Sequence, residues 1–433
     1  MRMTHNNNAG EVGEHEVGRI LPIPRHGAPA ALLRVRLPRA CPPGSGAVFA
    51  RPPHHERNKE VFMIAFAKRE TRVLFGAAVL AAACADQPAG LAPPSNPQRA
   101  SPYIAHTRIY YLAAEDTNWN YAPLGRDPVY DRSLPAPWGT TTVYAKARYV
   151  QYTDSTFTAR VPQPAWQGIL GPMIRGVVGD TLKVVFRNRT SQPLSIHPHG
   201  VRYDPADEGA VYDPPRGGGD SVSAGGTYTY TWRVVPESGP LPGEPSSKVW
   251  LYHSHVTPDV EVYRGLVGTI VVTDPAYARD DGSPDDVTRE FTTLWLIFNE
   301  NTEATPDSLQ EANLKHSING YFFGNLPGLT MNRGDRVRWY VVALGTETDW
   351  HTPHWHGETI LVEGKTYNDV IEVGPASMKV GDMVADNPGT WLLHCHVGDH
   401  MMAGMYVTYT VAGSGPPPPV AATRDTGPGW SPF

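Results

Sequence analysis

The chain has 433 residues, of which 40% are hydrophobic and 18% are charged, enough apolar sequence for two hydrophobic cores. Its formal net charge is −6, and without clustered lysine and arginine we expect no binding to the phosphate backbone of a nucleic acid. The 42 glycines and 43 prolines show no collagen repeat, a composition typical of an all-β protein with many turns.

The N-terminal part of the chain has the pattern of a targeting region. Residues 1–62 lack sustained periodicity and precede Met63, so we expect a spurious or disordered leader. Basic residues followed by the apolar run 73–83 predict a signal peptide over 63–83, too short to span a bilayer. Small residues before Cys84 resemble a bacterial lipoprotein box. We therefore expect export as a periplasmic or cell-envelope lipoprotein with a lipid anchor at Cys84, with ordinary cleavage nearby as the alternative, and a tether over 84–102.

Between the tether and the C-terminus, the sequence predicts two β-sandwiches built on one plan. Alternating or β-branched stretches predict strands at 108–113, 181–187, 227–234, 266–272, 291–298, 336–344 and 405–411. Gly-Asp pairs and histidine motifs recur in the same order in both halves, which indicates a duplicated domain. We place the domains at 103–275 and 291–413, with a polar linker at 276–290 and a disordered tail at 414–433.

Histidines are concentrated in the two predicted domains. Ten of the 17 fall in four short motifs: His197-Pro-His199-Gly200, His253-Ser-His255, His351-Thr-Pro-His354-Trp-His356-Gly357, and His394-Cys395-His396 with His400. In a strand, residues i and i+2 point to the same face, so each His-x-His pair can offer two imidazoles to a metal. One such pair is weak evidence, whereas four in duplicated positions indicate a metal protein.

Cys395 lies inside the last motif. The other two cysteines are Cys41, in the leader, and Cys84, so no disulfide framework explains it. A thiolate, two imidazoles and a weak thioether form a blue-copper site, which His351, Cys395, His400 and Met405 could supply.

These motifs resemble the four copper-binding signatures of the multicopper oxidases. Further segments resemble the ceruloplasmin and hephaestin branch, among them Gly168-Ile-Leu-Gly-Pro-Met-Ile-Arg, Ser317-Ile-Asn-Gly-Tyr-Phe-Phe-Gly-Asn-Leu and Asn387-Pro-Gly-Thr-Trp-Leu-Leu-His-Cys-His-Val. The resemblance covers about 107–412 and implies two cupredoxin-like Greek-key β-sandwich domains, as in bacterial two-domain laccase-like oxidases.

The resemblance also implies a set of copper ligands, with four copper ions per functional unit. The type 1 ligands would be His351, Cys395, His400 and Met405, and the type 2 ligands His197 and His354. The type 3 pair would be held by His199, His253, His255, His356, His394 and His396. In the first domain, Leu194, Ser254 and Asp259 would replace the type 1 ligands, so that domain would hold no type 1 copper.

The implied function is oxidation of a reductant coupled to the reduction of O2 to water. The alternatives are a copper nitrite reductase, which lacks a type 3 pair, and a non-catalytic copper-binding module, which would not need every ligand. Two-domain relatives form homotrimers with clusters between chains, and we expect the same here.

The reductant is either a reduced metal ion or a phenol. Four residues match the iron site of ceruloplasmin: Glu311, His316, Asp399 and, from a neighbouring chain, Glu347. Carboxylates and imidazoles suit such an ion, so we expect a ferroxidase-like enzyme. Asn299, Trp350 and Trp355 could instead line a phenol pocket, and a laccase-like oxidase is the alternative.

Overall fold

A computed structural model describes residues 103–413, all of which belong to the unit Cys84–Phe433. The leader, signal peptide, tether and tail predicted from the sequence lie outside the described residues, as does the anchor position Cys84.

The first half of this region is a sandwich of two four-stranded sheets. Its strands are β1 (Thr107–Asn120), β2 (Arg126–Asp127), β3 (Arg132–Ser133), β4 (Val143–Tyr152), β5 (Ile174–Val177), β6 (Thr181–Asn188), β7 (His197–Pro198), β8 (Thr227–Arg233), β9 (Ser247–His253) and β10 (Val267–Thr273). One sheet has the order β4-β1-β6-β8 and the other β5-β10-β9-β7, while β2 and β3 form a separate hairpin. The alternation that predicted β6 is real, because Leu182, Val184 and Phe186 are buried while Lys183 is exposed.

The second half repeats this arrangement. Its strands are β11 (Arg289–Asn299), β12 (Leu314–Ile318), β13 (Thr330–Asn332), β14 (Arg336–Ala343), β15 (Pro353–Trp355), β16 (Ile360–Val362), β17 (Thr366–Asn368), β18 (Met378–Val384), β19 (Gly389–Cys395) and β20 (Tyr406–Ala412). The sheets have the orders β12-β11-β14-β18-β16-β17 and β13-β20-β19-β15.

The two sandwiches share strand order and strand direction. β1 runs parallel to β6 as β11 does to β14, and β5 runs parallel to β10 as β13 does to β20, with the remaining neighbours antiparallel. The first sheet of the second sandwich has two strands more than its counterpart, β16 and β17. The all-β fold is confirmed, and the repeated topology agrees with a duplicated domain.

Apolar packing is divided into a core for each sandwich and a layer between them. Leu182, Trp232 and Ile270 belong to the first core, and Trp339 and Val407 belong to the second. The layer between them joins buried residues of both halves, with Leu251 and Val271 packed in one cluster with Leu296, Tyr340 and Val342. Because apolar burial is the main favourable term in association, this layer holds the sandwiches together.

Helices are short and lie in the connections. They are α1 (Pro258–Arg264), α2 (Asp307–Gln310) and α3 (Gly398–Met402). α1 follows β9 and α3 follows β19, so both helices come directly after a histidine motif. Within residues 103–413 no helix is long and apolar enough to cross a membrane.

Candidate metal centre

The Cys395 thiol lies between two imidazoles at the end of β19. Its Sγ atom is 3.6 Å from Nδ1 of His400, on α3, and 4.0 Å from Nδ1 of His351, in the loop before β15. The two Nδ1 atoms are 3.2 Å apart. Met405 is fully buried, and its backbone bonds both neighbours: its N–H donates to the carbonyl of His400 and its carbonyl accepts from Cys395 N–H.

This donor set fits copper. A thiolate with two imidazole nitrogens and a nearby thioether is the ligand set of blue-copper proteins. Burial raises the pKa of the Cys395 thiol and, together with the neighbouring His351, lowers the pKa of His400 to about 4. The pocket therefore favours a neutral imidazole with a free lone pair, which is the form that binds a metal.

Four histidines form a second group at the edge of the first sandwich. His197, on the edge strand β7, pairs in register with His253 on β9. The Nε2 atoms of His199 and His253 lie 3.1 Å apart, and the ring of His255 is 4.9 Å from that of His197. The four rings lie side by side, although no three of their nitrogen atoms lie within 4.8 Å of one another.

The second sandwich carries an equivalent group. His354, on the edge strand β15, pairs in register with His394 on β19. The Nε2 atoms of His356 and His394 lie 3.0 Å apart, and the ring of His396 is 5.4 Å from that of His354. His356 and His396 are exposed, so this group faces solvent.

A glycine follows the first His-x-His pair of each half for the same steric reason. Gly200 and Gly357 have φ values of +72° and +76°. A Cβ atom would lie 2.0 Å from the Trp250 ring at the first position and 2.6 Å from the Trp391 ring at the second. Each tryptophan ring thus fixes the path of the chain beside the histidines.

The two histidine groups are separate within one chain. Among the described residues, ring contacts join histidines inside each group and none joins one group to the other.

The residues expected to bind a substrate metal are only partly brought together. His316, on β12, is buried with its ring 5.3 Å from that of His400, and its Nδ1 atom has no hydrogen-bond partner. Glu311 is exposed near the start of β12 and accepts a hydrogen bond of 3.2 Å from Trp138 Nε1. Asp399, beside His400, and Glu347, in the loop after β14, are also exposed. In residues 103–413, none of these carboxylates belongs to a group of three ligand atoms within 4.8 Å of one another.

The residues considered for a phenol pocket do not share one environment. Trp355 is 1% exposed in the second core, whereas Trp350 is 63% exposed and Asn299 is exposed at the end of β11. Trp355 is thus a packing residue.

Two family models match the chain, both described as multicopper oxidase, over residues 149–277 and 298–414. The matched segments contain all four histidine motifs. The chain belongs to the multicopper oxidase family. Membership of this family implies copper as the bound metal.

The relatives of this multicopper oxidase include larger proteins. It is 39% identical to hephaestin of Mus musculus over 350 residues, covering 70% of this chain and 29% of that protein. It is 34% identical to ferroxidase HEPHL1 of Homo sapiens (70% and 29% covered) and 34% identical to human ceruloplasmin (72% and 31% covered). The chain thus spans less than a third of these proteins. Among solved structures, the multicopper oxidase mgLAC matches with a TM-score of 0.51 and 21% identity, covering 74% of this chain and 91% of that chain, and shares the fold.

The structure corrects one equivalence between the two halves of the oxidase. Asp259 was expected at the position of His400, but it is exposed on α1. Leu266 N–H donates to the Glu261 carbonyl as Met405 N–H donates to the His400 carbonyl. In the same way, the Ser254 N–H donates to the Leu266 carbonyl, and the Cys395 N–H donates to the Met405 carbonyl. Glu261, which is buried, is therefore the counterpart of His400.

Sequence reasoning missed two residues around these sites. Asp349 is fully buried with Oδ1 3.4 Å from Nε2 of His351. Its signal was an aspartate two positions before a predicted copper ligand. Trp138, in the first sandwich, bonds Glu311, and no motif marked it.

Proposed function

We propose that this oxidase couples one-electron oxidation of a reductant to four-electron reduction of O2 to water. The observation that carries the proposal is the position of Cys395: its thiol faces His351 and His400, while its chain neighbours His394 and His396 belong to a four-histidine group. One tripeptide thus joins two metal-binding groups. The relatives and the family models support the same reading.

Four copper ions per functional unit are assigned to these residues. Type 1 copper is assigned to His351, Cys395, His400 and Met405, and type 2 copper to His197 and His354. The type 3 pair is assigned to His199, His253, His255, His356, His394 and His396.

The chain's own residues would hold and orient the metals. Bound copper supplies the one-electron redox chemistry. The backbone N–H of Thr352 donates to Cys395 Sγ over 3.4 Å and orients the sulfur. In the histidine groups, Nδ1 of His394 and Nδ1 of His253 each contact a neighbouring backbone carbonyl, at 2.8 Å and 2.9 Å. Their Nε2 atoms are left to face the other histidines of the group. This backbone contact fixes the tautomer needed for metal binding.

We assign the functional unit to a homotrimer. Each histidine group provides half of the eight ligands expected for a trinuclear cluster. In residues 103–413, no histidine ring of one group contacts a histidine ring of the other. Each group includes a histidine on an edge strand and has partly exposed imidazoles, so a neighbouring chain can supply the missing half.

Ferrous iron or another reduced metal ion is the proposed reductant. His316 lies against the type 1 ligand His400 with a free, buried Nδ1 atom, and Asp399 precedes that ligand. Glu311 stands near the start of the His316 strand, and Glu347 is assigned to the site of an adjacent chain. Relatives of this chain include proteins named ferroxidase and hephaestin. A phenol is the alternative substrate.

Steady-state kinetics with ferrous ion, cuprous ion and a bulky phenol test this assignment. In Glu311→Ala, His316→Ala and Asp399→Ala, we expect ferrous turnover to fall at least about tenfold, in line with losses at metal sites, while phenol turnover changes little. Glu237→Ala, an exposed acid on the first sandwich, is the matched control. Unchanged ferrous kinetics in all three variants with the blue copper loaded would identify a laccase-like enzyme instead.

We also propose that the protein is exported and, more specifically, that it carries a lipid anchor at Cys84. Labelled palmitate should enter the native protein but not Cys84→Ser. Protein that is cleaved near residue 84 but has incorporated no palmitate would indicate ordinary signal-peptide cleavage instead.

A further inference from the structure

Asp349 faces the outer nitrogen of the copper ligand His351. Nδ1 of His351 points toward the Cys395 thiol, and the opposite nitrogen, Nε2, is buried 3.4 Å from Asp349 Oδ1. Among the described residues, Nε2 of His351 has no hydrogen-bond partner. The carboxylate is therefore the group placed to accept a hydrogen bond from this nitrogen.

The backbone fixes the position of this carboxylate. Asp349 is 0% exposed, its Oδ1 accepts a hydrogen bond from Ile297 N–H at 2.8 Å, and its Oδ2 accepts one from Thr346 N–H at 2.8 Å. Ile297 lies on β11 in the second core, so a strand of the sandwich anchors the group. The side chain is held in place before any metal binds.

The second type 1 imidazole has different surroundings. His400 packs against the ring of His316 and follows the exposed Asp399. Asp349 thus lies directly beside the outer nitrogen of His351, whereas it acts on His400 only through its charge.

We propose that Asp349 is a positioning residue that sets the tautomer of His351 and lowers the reduction potential of the copper bound there. A neutral imidazole carries one proton. A carboxylate at Nε2 holds that proton on Nε2 and leaves the Nδ1 lone pair for the metal. The same negative charge strengthens the imidazole as a donor and stabilises cupric over cuprous copper. The inference rests on the proposed assignment of His351, Cys395 and His400 to one copper site.

The test compares the wild-type protein with Asp349→Asn. Asp180→Asn is the matched control, because Asp180 is also a buried aspartate that accepts from two backbone N–H groups, those of His106 and Val177, but in the first sandwich. Three quantities are measured: the protonated ring nitrogen of His351 by 15N NMR of the copper-free protein, copper affinity by chelator competition, and the reduction potential by titration of the blue band.

We expect the proton on Nε2 in the wild-type protein and a mixture of tautomers in Asp349→Asn. Copper affinity should fall about 10–100-fold in Asp349→Asn. If the loss is confined to the cupric form, each tenfold loss raises the reduction potential of the copper by about 59 mV. Asp180→Asn should match the wild type in all three. A proton on Nδ1 in the wild-type protein, or an unchanged potential in folded Asp349→Asn, overturns the inference. A wild-type protein without a blue band would instead overturn the proposed copper site, and the NMR result on copper-free protein separates the two failures.

Discussion

Replacement of Cys395 by serine should remove the blue colour without unfolding the protein. Its sulfur is the only cysteine thiol among the described residues, and thiolate ligation produces the blue absorption. The cores are spread over two sandwiches, so one conservative change leaves most apolar burial intact. We expect Cys395→Ser to lose the visible band and oxidase activity while keeping its far-ultraviolet circular dichroism.

Ser254→Cys is the control for that prediction. Ser254 is the counterpart of Cys395 in the first sandwich, but Leu194 and Glu261 stand where the imidazoles would be. The added thiol should therefore produce no second blue site. Oxidase activity retained by a copper-loaded Cys395→Ser protein would rule out Cys395 as the site that receives electrons.

At the scale of single residues, the sequence marks the proposed copper ligands more clearly than the residues around them. His351, Cys395 and His400 are recognisable because metal chemistry demands those residue types at close spacing. Glu261 is not, because Ser254 and Leu266 are separated by two more residues than Cys395 and Met405, and spacing alone cannot show where an insertion falls. Asp349 stands two positions before His351, but its burial and its hydrogen bond from Ile297 N–H depend on the tertiary fold, which no local pattern encodes.

At the scale of elements, a buried arginine joins the two sandwiches. Arg338, on β14, donates to Ser246 Oγ and Ser247 Oγ of the first half and to Asp382 and Asp286. The neighbouring carboxylates raise its pKa despite burial. Because Arg338→Ala would leave buried carboxylates unpaired, we expect a loss of about 3–5 kcal/mol in the free energy of unfolding, measured by urea denaturation.

Arg233→Ala is the comparison for Arg338→Ala. Arg233 pairs with Asp204, and both side chains are half exposed or more. An exposed pair contributes only about 0.2–1 kcal/mol. Equal losses in the two variants would show that Arg338 does not join the sandwiches as described.

Element bounds show what periodicity can and cannot predict. The strand predicted at 181–187 is β6 almost to the residue, since its buried face is apolar. β1 was predicted to stop at 113 but continues to Asn120, because its pairing with β4 extends through the polar stretch Glu115 to Asn118. The backbone hydrogen bonds between β1 and β4 continue through this stretch, although its sequence shows no alternation of apolar residues.

At the scale of the whole molecule, inactive chains should complement each other. His199→Ala disables the first-half group, and His356→Ala disables the second-half group. If each cluster forms between chains, a mixed trimer contains an interface where both groups are intact. We expect each variant alone to be inactive and co-expressed variants to recover part of the activity, in a species that sediments as a trimer.

Two outcomes would contradict the assembly. No recovery in mixed, copper-loaded trimers would place the whole cluster within one chain, and an active monomer in sedimentation would remove the need for a neighbour. Mixing His356→Ala with His394→Ala is the control, because both variants lack the same group and should stay inactive. The assembly was predicted from the family resemblance, since the order of residues in one chain does not specify its neighbours.

The ratio of ferrous ions oxidised to O2 consumed tests the account most directly. It is measured with an oxygen electrode and a ferrous chelator on the copper-loaded protein, with peroxide assayed in parallel. Complete reduction of O2 to water predicts four ferrous ions per O2 and no free peroxide, with uptake abolished in Cys395→Ser. Release of peroxide in proportion to the iron oxidised, or O2 uptake that persists in Cys395→Ser, would contradict it.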